Sequence, residues 1–147
     1  MNAAYIHLAL NHFPLIMNVA AVLVLIIGLG ARSAAVIRTA LVLIVATALF
    51  AIPTFLTGDD AEHVVKRIEG VNATAIDPHE ESADWAITLC SIEGVAALAL
   101  LIAYRRREIA TWAAIAMLLL ALIGTATVAR TAYLGGKIHH PETEIAP

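Results

Sequence analysis

Four stretches of mostly apolar residues, each long enough to cross a lipid bilayer, constrain this chain more than any other feature. They are centred on residues 13–30, 39–56, 85–104 and 109–134. A helix crossing ~30 Å of hydrocarbon needs about 20 such residues. Hydrocarbon offers a backbone no water to bond, so each stretch must satisfy itself as a helix. The fold class expected is all-α, a four-helix transmembrane bundle, with residues 1–147 as one domain. Composition agrees: 61% of the residues are apolar, 14% are charged, and the mean hydropathy is +0.84. Soluble domains carry roughly a quarter charged residues.

Charge divides sharply between the two sets of connections. Loop 31–38 holds Arg32 and Arg38, and loop 104–110 holds Arg105, Arg106, Arg107 and Glu108. The opposite side has Lys66, Arg67 and Lys137 against ten acids. The positive-inside rule puts both arginine loops in the cytoplasm and both termini outside. The expected location is a bacterial inner membrane, multi-pass, with extracytoplasmic ends. The first residues carry no base ahead of the apolar run, which reads as mature sequence rather than a signal peptide. Cys90 is the sole cysteine, so an internal disulfide and cysteine-based zinc or iron–sulfur sites are excluded.

The long connection between spans two and three has structure of its own. Asp59 is expected to cap a short helix running to about Glu69, with Gly70 ending it and Val64, Val65 and Ile68 resting on the bundle. Asp77-Pro78-His79-Glu80 reads as the next helix start, with Asp77 as the cap and Glu80 closing a capping box.

All six histidines, His7, His12, His63, His79, His139 and His140, fall on the side opposite the arginine loops. Imidazole is a usual ligand for transition metals and for haem iron. His63 reads as a solvated side chain of an amphipathic helix. His7, His12 and His79 are the better candidates because helices or helix ends hold them. His12 lies about 140° from His7 on a continuous helix. A break near Pro14 would let the two rings converge, and the sequence leaves that choice open.

Two ionisable residues lie inside spans, Glu93 and Arg130, and each reads as the other's partner. The series His79, Ala83, Ala86, Cys90, Glu93 follows one helical face, as does His7, Asn11, Pro14, Asn18. Both stripes are expected to face inward, since Asn18 in an apolar run must find a hydrogen bond. The many alanines, threonines and glycines of spans two to four permit close helix approach and leave room for a flat cofactor. Phosphate-binding loops, dinucleotide fingerprints and the serine-hydrolase elbow are missing. No basic patch points to nucleic acid.

The motifs HLALNHFP at 7–14, LTGDDAE at 56–62, PHEESA at 78–83 and ARTAYLGGKIHHPE at 129–142 extend along nearly the whole chain. In them the chain resembles a family of small bacterial four-span membrane proteins, related to domain of unknown function 2231. The resemblance implies a pattern of His7, Asn11, His12, Pro14, Gly58, His79, Glu80, Arg130, Gly135, Gly136 and His140. His139 stands where Arg or another polar residue is expected, which makes His140 the preferred tail ligand. Related domains are sometimes joined to cytochrome c or Rieske-type modules, so the resemblance also implies electron transfer.

These readings converge on a membrane electron-transfer protein. It would hold a b-type haem at the outer rim through histidines drawn from His7, His12, His79 and His140, with Arg130 on a propionate or on Glu93. The alternative is a copper, iron or zinc ion on the same histidines plus Glu80 or Glu93. A further alternative is a structural subunit that binds nothing. The expected partners are the lipid bilayer and a redox protein or respiratory complex. A homodimer is compatible with four thin helices, although no interface motif marks one. A proton-coupled transporter is disfavoured because no inverted repeat is visible.

Overall fold

The computed structural model describes residues 3–139. The helices are α1 (Ala3–Leu10), α2 (Phe13–Gly30), α3 (Ala34–Leu56), α4 (Gly58–Val65), α5 (Ile76–Ala103) and α6 (Thr111–His139), with a 3₁₀ turn at Ala73–Ala75 before α5. The described residues contain four helices long and apolar enough to cross a membrane, the first counted from α1 through α2. Packing runs α2 on α3, α3 on α5, α5 on α6, and α6 back on α2. That is a closed up-and-down bundle with sequential neighbours side by side. All the histidines of the described chain gather at one end of it, and the arginine loops at the other.

The bundle is apolar outside as well as inside. Leu23, Ile27, Val42, Val95, Leu119 and Ile123 are each about half exposed or more. Water would penalise that surface, whereas lipid tails accept it. On α6, exposed Trp112 and exposed Tyr133 are separated by about 31 Å of helix rise. Aromatic residues settle at the two membrane interfaces, and this spacing matches a ~30 Å hydrocarbon layer.

Close approach is bought with small residues. A Cβ on Gly94 of α5 would collide with the Cβ of Ala48 on α3, and one on Gly28 would lie 2.9 Å from Ile37. Ala21, Ala40, Ala97, Ala114 and Ala121 are completely enclosed alongside Leu25, Leu41 and Ile44. This main apolar cluster fills the arginine half of the bundle. Intramembrane threonines return their hydroxyls to the preceding turn, as Thr47 does to the Leu43 carbonyl at 2.9 Å.

Several local expectations are corrected. Span two begins at Ala34, so Arg38 belongs to α3 rather than to a loop. Its guanidinium donates to the main-chain carbonyls of Tyr104 and, at 2.8 Å, Arg107. It thereby satisfies carbonyls left over where α5 ends. The cap of the α5 region is Asn72, not Asp77: Asn72 Oδ1 accepts from the Thr74 amide at 3.2 Å and the Thr74 hydroxyl at 2.6 Å. Starting the turn there moves the helix start upstream of Asp77, leaving no capping box. Asp59 lies in the first turn of α4 instead of capping it, and α4 ends at Val65. Val65 packs beside Ala75, Ile76 and Ile138, while Ile68 is exposed. Gly70 does adopt a left-handed backbone, φ 83°.

Gly94→Ala is expected to lower stability by about 1–3 kcal/mol through overpacking against α3. Gly30→Ala, where nothing lies within 4 Å of an added carbon, is expected to leave it unchanged. Thermal unfolding in detergent micelles checks both.

Candidate functional site

Pro14 has no amide hydrogen for the Leu10 carbonyl, and the first helix breaks there into α1 and α2. The break is slight. The Asn11 amide still bonds the His7 carbonyl at 2.8 Å, and the Ile16 amide bonds the His12 carbonyl at 3.1 Å. With the helical course nearly kept, His7 and His12 do not converge: His7 is half-buried and His12 is exposed. His63 is exposed on α4, as expected. His140 lies outside the described residues.

His7 and His79 are held in the same way from opposite elements. His7 Nδ1 lies 2.8 Å from the main-chain carbonyl of Thr54. Thr54 is in the last turn of α3, where carbonyls lack a helical partner. His79 Nδ1 lies 3.0 Å from the carbonyl of Thr131 on α6. A carbonyl only accepts, so each Nδ1 carries the proton and each neutral ring keeps a lone pair on Nε2. Metal-binding histidines are commonly oriented by such a bond. His7 also lies within electrostatic range of His79.

Glycine makes the second bond reachable. A Cβ on Gly135 would lie 3.0 Å from His79 Cε1 and 3.2 Å from Nδ1. Below it, Ser82 is fully enclosed, with its hydroxyl 2.8 Å from that of Thr131. The Thr131 hydroxyl in turn lies 3.0 Å from the carbonyls of both Ser82 and Thr127. Its single hydrogen serves those carbonyls, so Ser82 is the donor to Thr131. Thr54 and Thr131 act on the rings through main-chain atoms, which carry no residue-type signal, and sequence reasoning missed both.

Both inward stripes are present. On α2, Pro14 and Asn18 are buried; on α5, Cys90 and Glu93 are. The pairing of Glu93 with Arg130 is overturned. Glu93 Oε2 accepts from Asn18 Nδ2 at 3.2 Å, and both side chains are fully enclosed. Gly124 of α6 closes the layer, since a Cβ there would overlap the Glu93 carboxylate. Arg130 is exposed and lines a groove on the outside of the bundle with Trp85, Leu89, Ile123, Ala126 and Thr127. The pair also differs in depth, since Gly124, which faces Glu93, lies six residues and about 9 Å of rise before Arg130; counting residues in from each span end does not resolve that, nor the angular separation around α5 and α6.

Asn11 Oδ1, Asn18 Oδ1 and Glu93 Oε1 are enclosed without a partner among the described residues. Such atoms are where internal water sits in folded proteins.

Neither acid named as a metal ligand joins the two imidazoles. Glu93 is fourteen residues, about 21 Å of helix rise, from His79. Glu80 is exposed, with its carboxyl facing that of Glu62 on α4. Lys66 pairs with Glu62, and this ammonium, followed by the facing Glu80, holds the Glu62 carboxyl below its usual range. Among the described residues no group of three His, Cys, Asp or Glu side chains is gathered to hold an ion.

Removing one member of the Asn18–Glu93 pair strands the other. Asn18→Leu and Glu93→Leu are each expected to cost about 1–3 kcal/mol. The double substitution is expected to cost clearly less than their sum, read as a double-mutant cycle of unfolding in detergent.

No protein-family model matches the chain, and neither a curated protein nor a solved structure is found to be similar to it.

Proposed function

We propose that the histidine end of the bundle binds haem b with His7 and His79 as its two axial ligands, and that the protein carries electrons in the membrane. The observation that carries this reading is the shared tautomer: both rings spend Nδ1–H on a helix carbonyl and keep Nε2 as a ligand atom. Haem iron asks the protein for no more than two axial imidazoles. A bare copper, iron or zinc ion asks for three or four ligands, and beyond His7 and His79 these would have to come from outside the described residues, with His140 the first candidate. Haem supplies one-electron chemistry when bound. The chain's own contribution is to aim two imidazoles from α1 and α5 and to fix their protonation through Thr54 and Thr131. Arg130 has no part in this reading, and the reading stands on side-chain chemistry rather than on the family resemblance.

Purified protein supplied with haem is expected to develop a Soret band and reduced α and β bands. His7→Ala or His79→Ala is expected to abolish the low-spin spectrum, and His63→Ala to leave it intact. Absence of any Soret band after supplementation overturns the proposal. A stoichiometric metal without porphyrin absorption would replace it with the bare-ion site.

The same reading puts the histidine end outside the cytoplasm of a bacterial inner membrane, facing a redox protein or respiratory complex. Its support is the count of five bases at the arginine end, four in the loops and Arg38 at the start of α3, against three on the histidine side. Because Cys90 is buried, single cysteines report topology without background. Asp60→Cys is expected to react with an impermeant maleimide on intact cells, and Arg106→Cys only after permeabilisation. The reverse pattern would invert the orientation.

A further inference from the structure

Arg130 is a charged side chain on the lipid-facing surface of a membrane helix. Among the described residues it has neither an ion pair nor a hydrogen-bond partner. A charge in that position is costly unless something outside the bundle meets it. Its depth is informative. Arg130 stands eighteen residues, about 27 Å of rise, from Trp112 at the arginine end of α6. Exposed Tyr133 is three residues further on, and exposed Trp85 of α5 stands beside it. The guanidinium therefore sits where a ~30 Å hydrocarbon layer gives way to phosphates.

Beneath it runs a groove of about 450 Å³ between α5 and α6, walled by Trp85, Leu89, Ile123, Ala126 and Thr127. It is open along its lipid-facing side, and its walls are almost wholly apolar. Ala126 is the small residue that opens it. The site thus joins one cation at phosphate depth to an apolar trough descending into the hydrocarbon. That matches the two ends of a phospholipid.

We infer that the α5–α6 groove holds a bound phospholipid, its phosphate on the Arg130 guanidinium and an acyl chain lying against Leu89, Ile123 and Ala126. Guanidinium and phosphate match in geometry as well as charge. Two further charges lie above the groove along the same helices. Glu81 lies one turn above Trp85 on α5, and Lys137 lies two turns above Arg130 on α6 with its ammonium 5.1 Å from the Tyr133 ring centroid. The inference is independent of the haem reading and of which leaflet the histidine end faces.

The test is native mass spectrometry of the protein in detergent, titrated with phosphatidylglycerol or with diacylglycerol bearing the same chains. The wild type is expected to retain the phosphate-bearing lipid at least tenfold better than the phosphate-free one. Arg130→Gln is expected to erase that preference, and Ala126→Phe, which fills the trough and keeps the cation, to reduce retention of both lipids. Equal retention of the two lipids by the wild type overturns the inference, as does an unchanged preference in Arg130→Gln. Loss of a co-purifying protein subunit or of a haem band in Arg130→Gln, with lipid retention unaltered, also overturns it and assigns the guanidinium to a protein or to a propionate. A thermal transition recorded for each variant shows that the bundle is intact.

Discussion

A polar side chain inside hydrocarbon has no water to turn to, and the Asn18–Glu93 hydrogen bond is how this bundle meets that constraint. It joins α2 to α5 across the interior, in a layer that Gly124 closes. Small residues permit close approach beside it and below it: Gly94 against Ala48 and Gly124 against Glu93, then Gly28 against Ile37 and enclosed alanines among the aliphatics of the arginine end. The layer also separates two environments. On one side the core is apolar and continuous. On the other, the same stripes of α2 and α5 continue upward through Pro14, Asn11, Cys90 and Ser82 to the two imidazoles.

Those imidazoles take their character from backbone rather than from other side chains. Thr54 offers a carbonyl because α3 is ending, and Thr131 is reachable because Gly135 leaves its side of α6 bare. Fixing Nδ1 as donor leaves both Nε2 atoms with a lone pair and both rings with little freedom to turn. The nearly continuous course of the first helix through Pro14 carries His7 upward, and an extended α5 carries His79 above the hydrocarbon. The electron-carrier reading rests on that convergence of helix ends.

Much of this was legible in the residues. The period of the two inward stripes is a local helical property, and Asn18, Cys90 and Glu93 are enclosed where that period puts them. The collection of histidines at one end follows from an even number of spans. The caps were misjudged because Asn72 competes with Asp77 for the same helix start, and the earlier residue wins by adding a 3₁₀ turn. Glu93 and Arg130 were paired because both are ionisable and both fall in the outer part of their spans by residue count, yet the α6 residue level with Glu93 is Gly124, six residues and about 9 Å of rise before Arg130. Counting along the chain gives depth only coarsely, and partnership depends also on how each helix is rotated about its axis. That rotation turns Glu93 to Asn18 and Arg130 to the lipid.

From the amino-acid order alone come the four spans, their up-and-down course, the charge difference between the ends and the inward stripes, because each follows from hydropathy and helical period within a single segment. The tertiary structure alone decided which neighbour each polar group meets: Thr54 and Thr131 for the histidines, Asn18 for the carboxyl, an open groove for the guanidinium. Those choices depend on helix rotation and on which glycines face which side chains, and no segment carries that information until it is packed against the others.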